Sequence, residues 1–319
     1  MEAPKMKTLK FFNIIKNISI KLMTALIFPL SSQKKTRKHL RNLLIEGGIF
    51  ATIKCLFEQR KKAPENFQHY LSIVCCVKDE APYILEWIEY HRLQGVDHFY
   101  IYNNNGSDNT EELLKPYIDK GLITWHTYPG FNKQKEIYNH AIQNYKNQSR
   151  WMAFIDVDEF IVPKNNQKLT DIIRKHEDKN QIIIHWVQYG TSNHQYKTDG
   201  LVIERFTMHQ SGVHKLTKAI VNPRKVVSAG IHFHPTLGKE IDLNKTDSSN
   251  ELHTNIVQIN HYCTKSLEEF QNKRNKGRAF PGAILDDNWF KNCNRNEEND
   301  DLMAQYVPIL KERLSKITR

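Results

Sequence analysis

Asp156 and Asp158 stand two residues apart where the apolar run WMAFID (151–156) gives out, and Glu159-Phe160-Ile161 return at once to apolar sequence. In extended backbone, positions i and i+2 point the same way, so both carboxylates can address one point. Two anions that close repel unless a cation neutralises them. Hard oxygen donors suit Mg2+ or Mn2+, with the leftover positions filled by water and phosphate oxygens. A pair of solvated acids at a strand end is the plain alternative. The buried strand before the pair and the apolar return after it favour the metal.

The elements that must position this pair read as alternating strand and helix. LSIVCCV (71–77) is a continuous apolar, β-branched run, expected of a strand buried on both faces. A helix follows, with Asp79 or Glu80 as cap, Pro82 in its first turn, Ile84, Leu85, Ile88 and Leu93 as stripe, and Gly95 as terminator. HFYIY (98–102) is the next strand, NNNGSDNT its loop, and Asp108 or Asn109 caps a helix through Leu114. A strand over 122–128, a helix over 133–145 and a strand over 151–156 complete the pattern. Such alternation means right-handed crossovers and a mostly parallel central sheet in an α/β domain, with ligands outside the carboxyl ends of the strands. Three polar clusters lie at those ends: Lys78-Asp79-Glu80, Asn103 through Asp108, and Asp156 through Glu159. No GxGxxG or GxxxxGK[ST] follows a strand, which argues against dinucleotide oxidoreductases and P-loop enzymes.

Charge separates the chain into an arm and a body. Of 319 residues, 1 to 62 hold fourteen Lys or Arg against three acids, which accounts for the whole net charge of +11 and leaves 32 of each sign beyond. The neutral body, without an RNP, zinc-finger or helix-turn-helix signature, argues against nucleic acid as a partner. In the arm, apolar residues at helical spacing alternate with Lys10, Lys16 and Lys21, and QKKTRKHLRNLL adds a basic block. The uncharged stretch Leu22 to Leu30 is too short for a bilayer, which needs about 20 residues. The pattern suits a helix lying on an anionic membrane surface. Five cysteines without a CxxC pair fit neither a disulfide framework nor a zinc ribbon, so a reducing cytoplasm is expected. After about 282 comes an Asn-rich loop and an amphipathic helix (Leu302, Tyr306, Ile309, Leu310, Leu314), read as a cap on the body. The expected division is arm 1–68, catalytic domain 69–285 and helical extension 286–319.

Three segments, VKDEAPYILEWIEYHRLQGVDHFYIYNNNGSDNT, QKEIYNHAIQNYKNQSRWMAFIDVDEFIVP and INHYCTKSLEEFQNKRNKGRAF, resemble in order the glycosyltransferases of family 92 and their bacterial relatives in the GT-A superfamily. The resemblance implies a single GT-A domain, with the nucleotide-binding sheet first and the acceptor-binding half second. It makes Asp156 and Asp158 the metal-binding DxD and His261 the third ligand. An imidazole beside two carboxylates favours Mn2+ over Mg2+. Departure of a nucleotide diphosphate develops charge that the metal neutralises, assisted by a Lys or Arg. Lys215, Lys218, Lys265, Lys273 and Arg278 are candidates, with Lys218 and Lys265 preferred. Lys78, Glu80, Asn103, Asn105, Asp108 and Gln134 fall where such enzymes hold the nucleotide, although relatives often carry Asp at 103 or 104. The family inverts, which requires one general base. Glu204 and then Asp199 are the choices, with His185 and His194 behind them. WVQYGTSNH resembles a family segment whose Gly190-Thr191-Ser192 turn is expected to line the acceptor pocket. The setting implied is a cytoplasmic enzyme, peripheral on the inner face of a bacterial membrane, using a UDP-sugar (galactose first) on a glycan or glycolipid in lipopolysaccharide or capsule assembly. A GT-A transferase of different stereochemistry or donor, and a non-catalytic sugar- or nucleotide-binding domain, are the alternatives.

Overall fold

The computed structural model describes residues 43, 45, 47–59, 61–245, 251–276 and 285–317. Most of the basic apolar arm, and Arg278, lie outside the described residues. The arm's described end is helix α1 (Ile49–Gln59). Thr52 and Cys55 turn inward, the Cys55 thiol 3.5 Å from the Val226 carbonyl, while Phe50 is 86% exposed. Among the described residues no helix is long and apolar enough to cross a membrane. No disulfide joins any of the five cysteines.

The centre is built from the unalternating apolar runs. β1 (His69–Val77) lies between β2 (His98–Asn103) and β4 (Ser149–Phe154), with β3 (Ile123–Thr127) beyond β2, all four parallel. Helices α2 (Ile84–Leu93), α3 (Thr110–Asp119) and α4 (Gln134–Tyr145) make the crossovers that parallel strands require. α2 buries Trp87 and Tyr90 completely, and each polar tip is satisfied: Trp87 Nε1 donates to the Glu159 carbonyl (2.8 Å) and Tyr90 Oη to that of Ile161 (3.0 Å). α3 runs five residues past the expected end at Leu114, because Tyr117 is buried against α2 with its hydroxyl on Glu89 (2.7 Å).

The second half inserts antiparallel strands. β8 (Thr217–Val221) lies antiparallel between β4 and β6 (Gln181–Gln188). β10 (Val257–His261) runs parallel to β6 and antiparallel to β5 (Glu159–Pro163), and the short β9 (Glu240–Asp242) adds to β6. The nine strands make one sheet in the order β3-β2-β1-β4-β8-β6-β10-β5, with β9 off this path. Five of its eight pairings are parallel, so the α/β class and the mostly parallel sheet are as expected. Residues 286–317 thread back over the body. α8 (Asp287–Cys293) leads to an antiparallel pairing between β7 (Met208–His209) and β11 (Glu298–Asn299). The terminal helix α9 (Val307–Ile317) buries Leu310 and sets Arg313 3.0 Å from Glu89 on α2.

One local expectation is corrected. β4 ends at Phe154, so Asp156 and Asp158 are not on an extended strand. They occupy the tight turn between β4 and β5, closed by a hydrogen bond from the Glu159 amide to the Asp156 carbonyl (3.0 Å). Turn geometry, not strand periodicity, places them.

Candidate active site

The β4–β5 turn is held from beneath by Glu159. This side chain is fully buried, and its Oε2 accepts a hydrogen bond from the Asp156 amide (3.1 Å). Burial pushes its carboxyl well up despite the nearby Lys218. Register explains the arrival of distant partners. β8 pairs Ala219 with Phe154, which puts Lys218 beside the turn. β10 pairs His261 with Glu159 across β5, and the Tyr262 amide donates to the Asp158 carbonyl (2.8 Å). A residue 103 positions downstream thereby reaches Asp158, with His261 Nε2 3.7 Å from Asp158 Oδ1.

Three lysines surround the acids. Lys218 Nζ, 1% exposed, lies 2.7 Å from Asp156 Oδ2 and 3.5 Å from Glu159 Oε1. Lys273, on helix α7 (Leu267–Lys276), lies 2.7 Å from Asp158 Oδ2. Lys265 adopts a left-handed backbone (φ 54°) that turns its buried side chain over the Tyr83 ring, Nζ 4.1 Å from the centroid. Its ammonium makes no ion pair or hydrogen bond among the described residues, and burial lowers its pKa. A buried, unpaired cation is a ready anion partner.

The protonation states are suited to ligation. Burial alone would raise the Asp158 carboxyl, but Lys273, His261 and Lys265 hold it far below the usual carboxylate range. His261 is pushed down to about 4 by burial, so its imidazole is neutral at pH 7. Glu80, between Lys265 and Lys273, is raised by burial to about 7. An ionised carboxylate beside a neutral imidazole is a donor pair that fits Mn2+ or another divalent ion keeping water and phosphate oxygens as its other ligands. Asp156 is already engaged: Gln134 Nε2 donates to its Oδ1 (3.0 Å), and Lys218 takes Oδ2. Among the described residues, no group of three His, Cys, Asp or Glu forms a ready-made cage.

The residues expected to meet the nucleotide divide. Lys218, Lys265, Gln134 and Glu80 belong to this cluster. Asn103, Asn105 and Asp108 instead hold loops: Asn103 Oδ1 accepts from the Gly106 amide (2.8 Å), and Asn105 bonds Gly130 in both directions. Asp108 accepts from the Ala81 amide (2.9 Å), while Asp79 accepts from those of Ser107 and Asp108, so two loops are tied reciprocally. Asn104, by contrast, donates to two carbonyls and keeps its buried Oδ1 without a partner. Lys78 sits in the first of these loops, half-buried.

Neither proposed base shares a hydrogen bond or ion pair with the cluster. Glu204 accepts from the Leu201 amide (3.4 Å) at the start of α6 (Val202–Arg205) and pairs with Lys311 of α9 at 2.6 Å; Asp199 is exposed in the loop before it. His185 is bonded to Asp242 (3.1 Å) and His194 lies against Phe206. The Gly190-Thr191-Ser192 turn, expected to line a pocket, is filled by the C-terminal loop. Asn294 accepts from the Thr191 amide and Asn296 from that of Ser192, both at 2.8 Å. Sequence reading quoted Trp186 only as the opening of WVQYGTSNH, without a role of its own, and gave none to His214 and His232 beside the cluster. It also placed Lys273 below Lys218 and Lys265, although Lys273 is the lysine bound to Asp158.

The model of Glycosyltransferase family 92 matches residues 72–308. The chain belongs to glycosyltransferase family 92. It is 26% identical over 218 residues to a family 92 protein of Oryza sativa subsp. japonica, covering 64% of this chain and 35% of that one. It is 27% identical over 176 residues to the galactan β-1,4-galactosyltransferase GALS3 of Arabidopsis thaliana, covering 48% and 34%. The family 92 chain thus spans about a third of the length of these plant relatives. Among solved structures it is similar to residues 1–349 of S. aureus TarS in complex with UDP, at 14% identity and a TM-score of 0.33 over 48% of this chain and 47% of that one.

Proposed function

We propose that the chain is an inverting, divalent-metal-dependent glycosyltransferase that moves a sugar from a UDP-sugar to a glycan or glycolipid acceptor. The observation that carries this reading is the convergence of Asp156, Asp158 and His261 with Lys218, Lys265 and Lys273 at the carboxyl ends of the parallel strands. Asp158 and His261 would hold the ion, with Asp156 beside them, and the ion would act as a Lewis acid on the departing diphosphate. Lys265 brings an unpaired ammonium to the phosphates, and Lys218 and Lys273 neutralise the carboxylates. The unpartnered Asn104 Oδ1 is an acceptor suited to the N3–H of uracil. Galactose is the first donor to test, since two relatives carry the name galactan β-1,4-galactosyltransferase. The basic arm would dock on an anionic membrane, which suits a lipid-linked acceptor. The named relatives are plant proteins and lend no support to a bacterial lipopolysaccharide, so the acceptor class stays at glycan or glycolipid.

The test is thermal unfolding of the full chain with UDP-, GDP- and CMP-sugars, with and without Mn2+, because selective ligand binding raises Tm by mass action. A shift confined to UDP-sugars and lost with EDTA is expected, together with loss of both shift and turnover in Asp158→Ala. A second reading follows from the two carboxylate–lysine pairs: the lysines alone neutralise the diphosphate. An EDTA-insensitive shift with UDP-sugars would select it.

A further inference from the structure

Trp186, near the end of β6, is the hub of an aromatic cluster beside Asp158 and His261. Its ring centroid is 4.2 Å from that of His261, 5.3 Å from His232 and 5.9 Å from His214, the last nearly parallel to it. The indole is 6% exposed, yet its Nε1–H has no acceptor among the described residues. A buried donor left unmet costs about 1–3 kcal/mol, which a ligand oxygen would recover.

The two half-buried imidazoles are fixed as opposite tautomers. His214 Nδ1 accepts from the Leu216 amide (3.1 Å), so its proton sits on Nε2. His232 Nδ1 faces the Thr217 carbonyl at 3.2 Å and must donate to it, so Nε2 carries a lone pair. Burial lowers both pKa values, helped by the Lys218 ammonium at His232, against which Asp156 acts in the other direction; His214 and His234 also face that ring. The Trp186 and His214 N–H donors and the His232 nitrogen acceptor, all uncharged, match a sugar ring, whose hydroxyls each give and take a hydrogen bond. A phosphate, which only accepts, would leave the His232 lone pair opposed.

We propose that Trp186, His214 and His232 form the saccharide-binding wall for the acceptor, and that His232 Nε2 takes the proton of the attacking hydroxyl. The proposal rests on the transferase reading above and replaces Glu204 and Asp199 as bases. In the step, the acceptor oxygen forms its bond to the anomeric carbon. The bond from that carbon to the phosphate oxygen breaks, its electron pair leaving on the diphosphate. The hydroxyl proton passes to His232, which returns it to water after release.

The experiment is saturation-transfer NMR of the full chain with β-1,4-galactotetraose, lactose and N-acetyllactosamine, UDP affinity being measured in the same samples, followed by kinetics with UDP-galactose. At least one saccharide should bind. Trp186→Phe and the half-exposed His214→Ala should each weaken it tenfold or more with UDP affinity unchanged. His232→Gln should keep both affinities, lose 100-fold or more in kcat and lose the acid limb of the pH–rate profile. Binding of UDP but of no saccharide, or unchanged saccharide affinity in both Trp186→Phe and His214→Ala, overturns the wall. A kcat for His232→Gln within threefold of the parent, or binding of both ligands without transfer, overturns the base. Saccharide binding without any affinity for UDP overturns the transferase reading and leaves the wall standing.

Discussion

Lys218→Met removes the only cation within ion-pair distance of Glu159 among the described residues, and the size of the loss is set by which acid is left alone. Asp156 is 34% exposed and can be solvated, so water screens most of its share. Glu159 is 0% exposed and carries the penalty. Stranding a buried charge costs about 3–5 kcal/mol, unless the group escapes by protonation. Glu159 has that escape, because burial already raises its carboxyl above the ordinary 4.5. Between those two values the native state holds the extra proton, so stability falls as pH rises, and without Lys218 the interval widens. The expected loss is therefore about 1–2 kcal/mol at pH 5.5 and about 3–4 kcal/mol at pH 8, the latter worth roughly 10 °C in Tm for a chain of this size. Urea unfolding of parent and variant at both pH values measures it. Equal losses at the two pH values, or less than about 1 kcal/mol at pH 8, would refute the counter-ion role.

Glu269, gripped by both terminal nitrogens of Arg205 at 2.9 and 3.0 Å, offers the opposite pH signature. Burial would raise its carboxyl, but the bonds from Arg205 and Ser266 hold it at about 2 against an ordinary 4.5. Its contribution is complete above 4.5 and lost as pH falls toward 2, so the deficit of Glu269→Gln should shrink from about 3 kcal/mol at pH 7 to about half that at pH 3 in urea titrations. At Gly190 an added Cβ would meet the Arg295 carbonyl and Asn296 Oδ1, both at 2.4 Å. Gly190→Ala should cost about 1–3 kcal/mol in chemical denaturation and speed proteolysis at residues 294–296. Deleting residues 1–62 should abolish co-sedimentation with anionic liposomes; retention would remove the arm from the docking role.

What the sequence disclosed follows from where burial imposes a pattern. The runs at 71–77 and 98–102 are buried on both faces and cannot alternate, which makes them unmistakable as parallel strands. Asp156 and Asp158 were legible as a pair, though the turn holding them was taken for strand. His261 came only from its motif, because nothing in its spacing reveals that β10 inserts between β5 and β6. The same antiparallel insertions hide Trp186, His214 and His232, which come from β6 and the segments flanking β8. A signal was available for Lys218: a lysine inside TKAIV, an otherwise apolar strand, has to find an anion. Asn105 and Asp108 were rightly assigned to a loop and Asn103 proves to be the last residue of β2, but Asx side chains there are as readily spent on neighbouring amides as on a ligand.

β10, paired on one flank with β6 and on the other with β5, supplies His261 from its last position. Side chains alternate along a strand, so a one-residue slip would turn the imidazole away from Asp158 and offer Tyr262 in its place. The four-strand parallel half could assemble first and still be inert until this late strip zips into its slot. Truncated or misregistered molecules would then be silent, and lesions well away from the acids could extinguish turnover simply by loosening that seam.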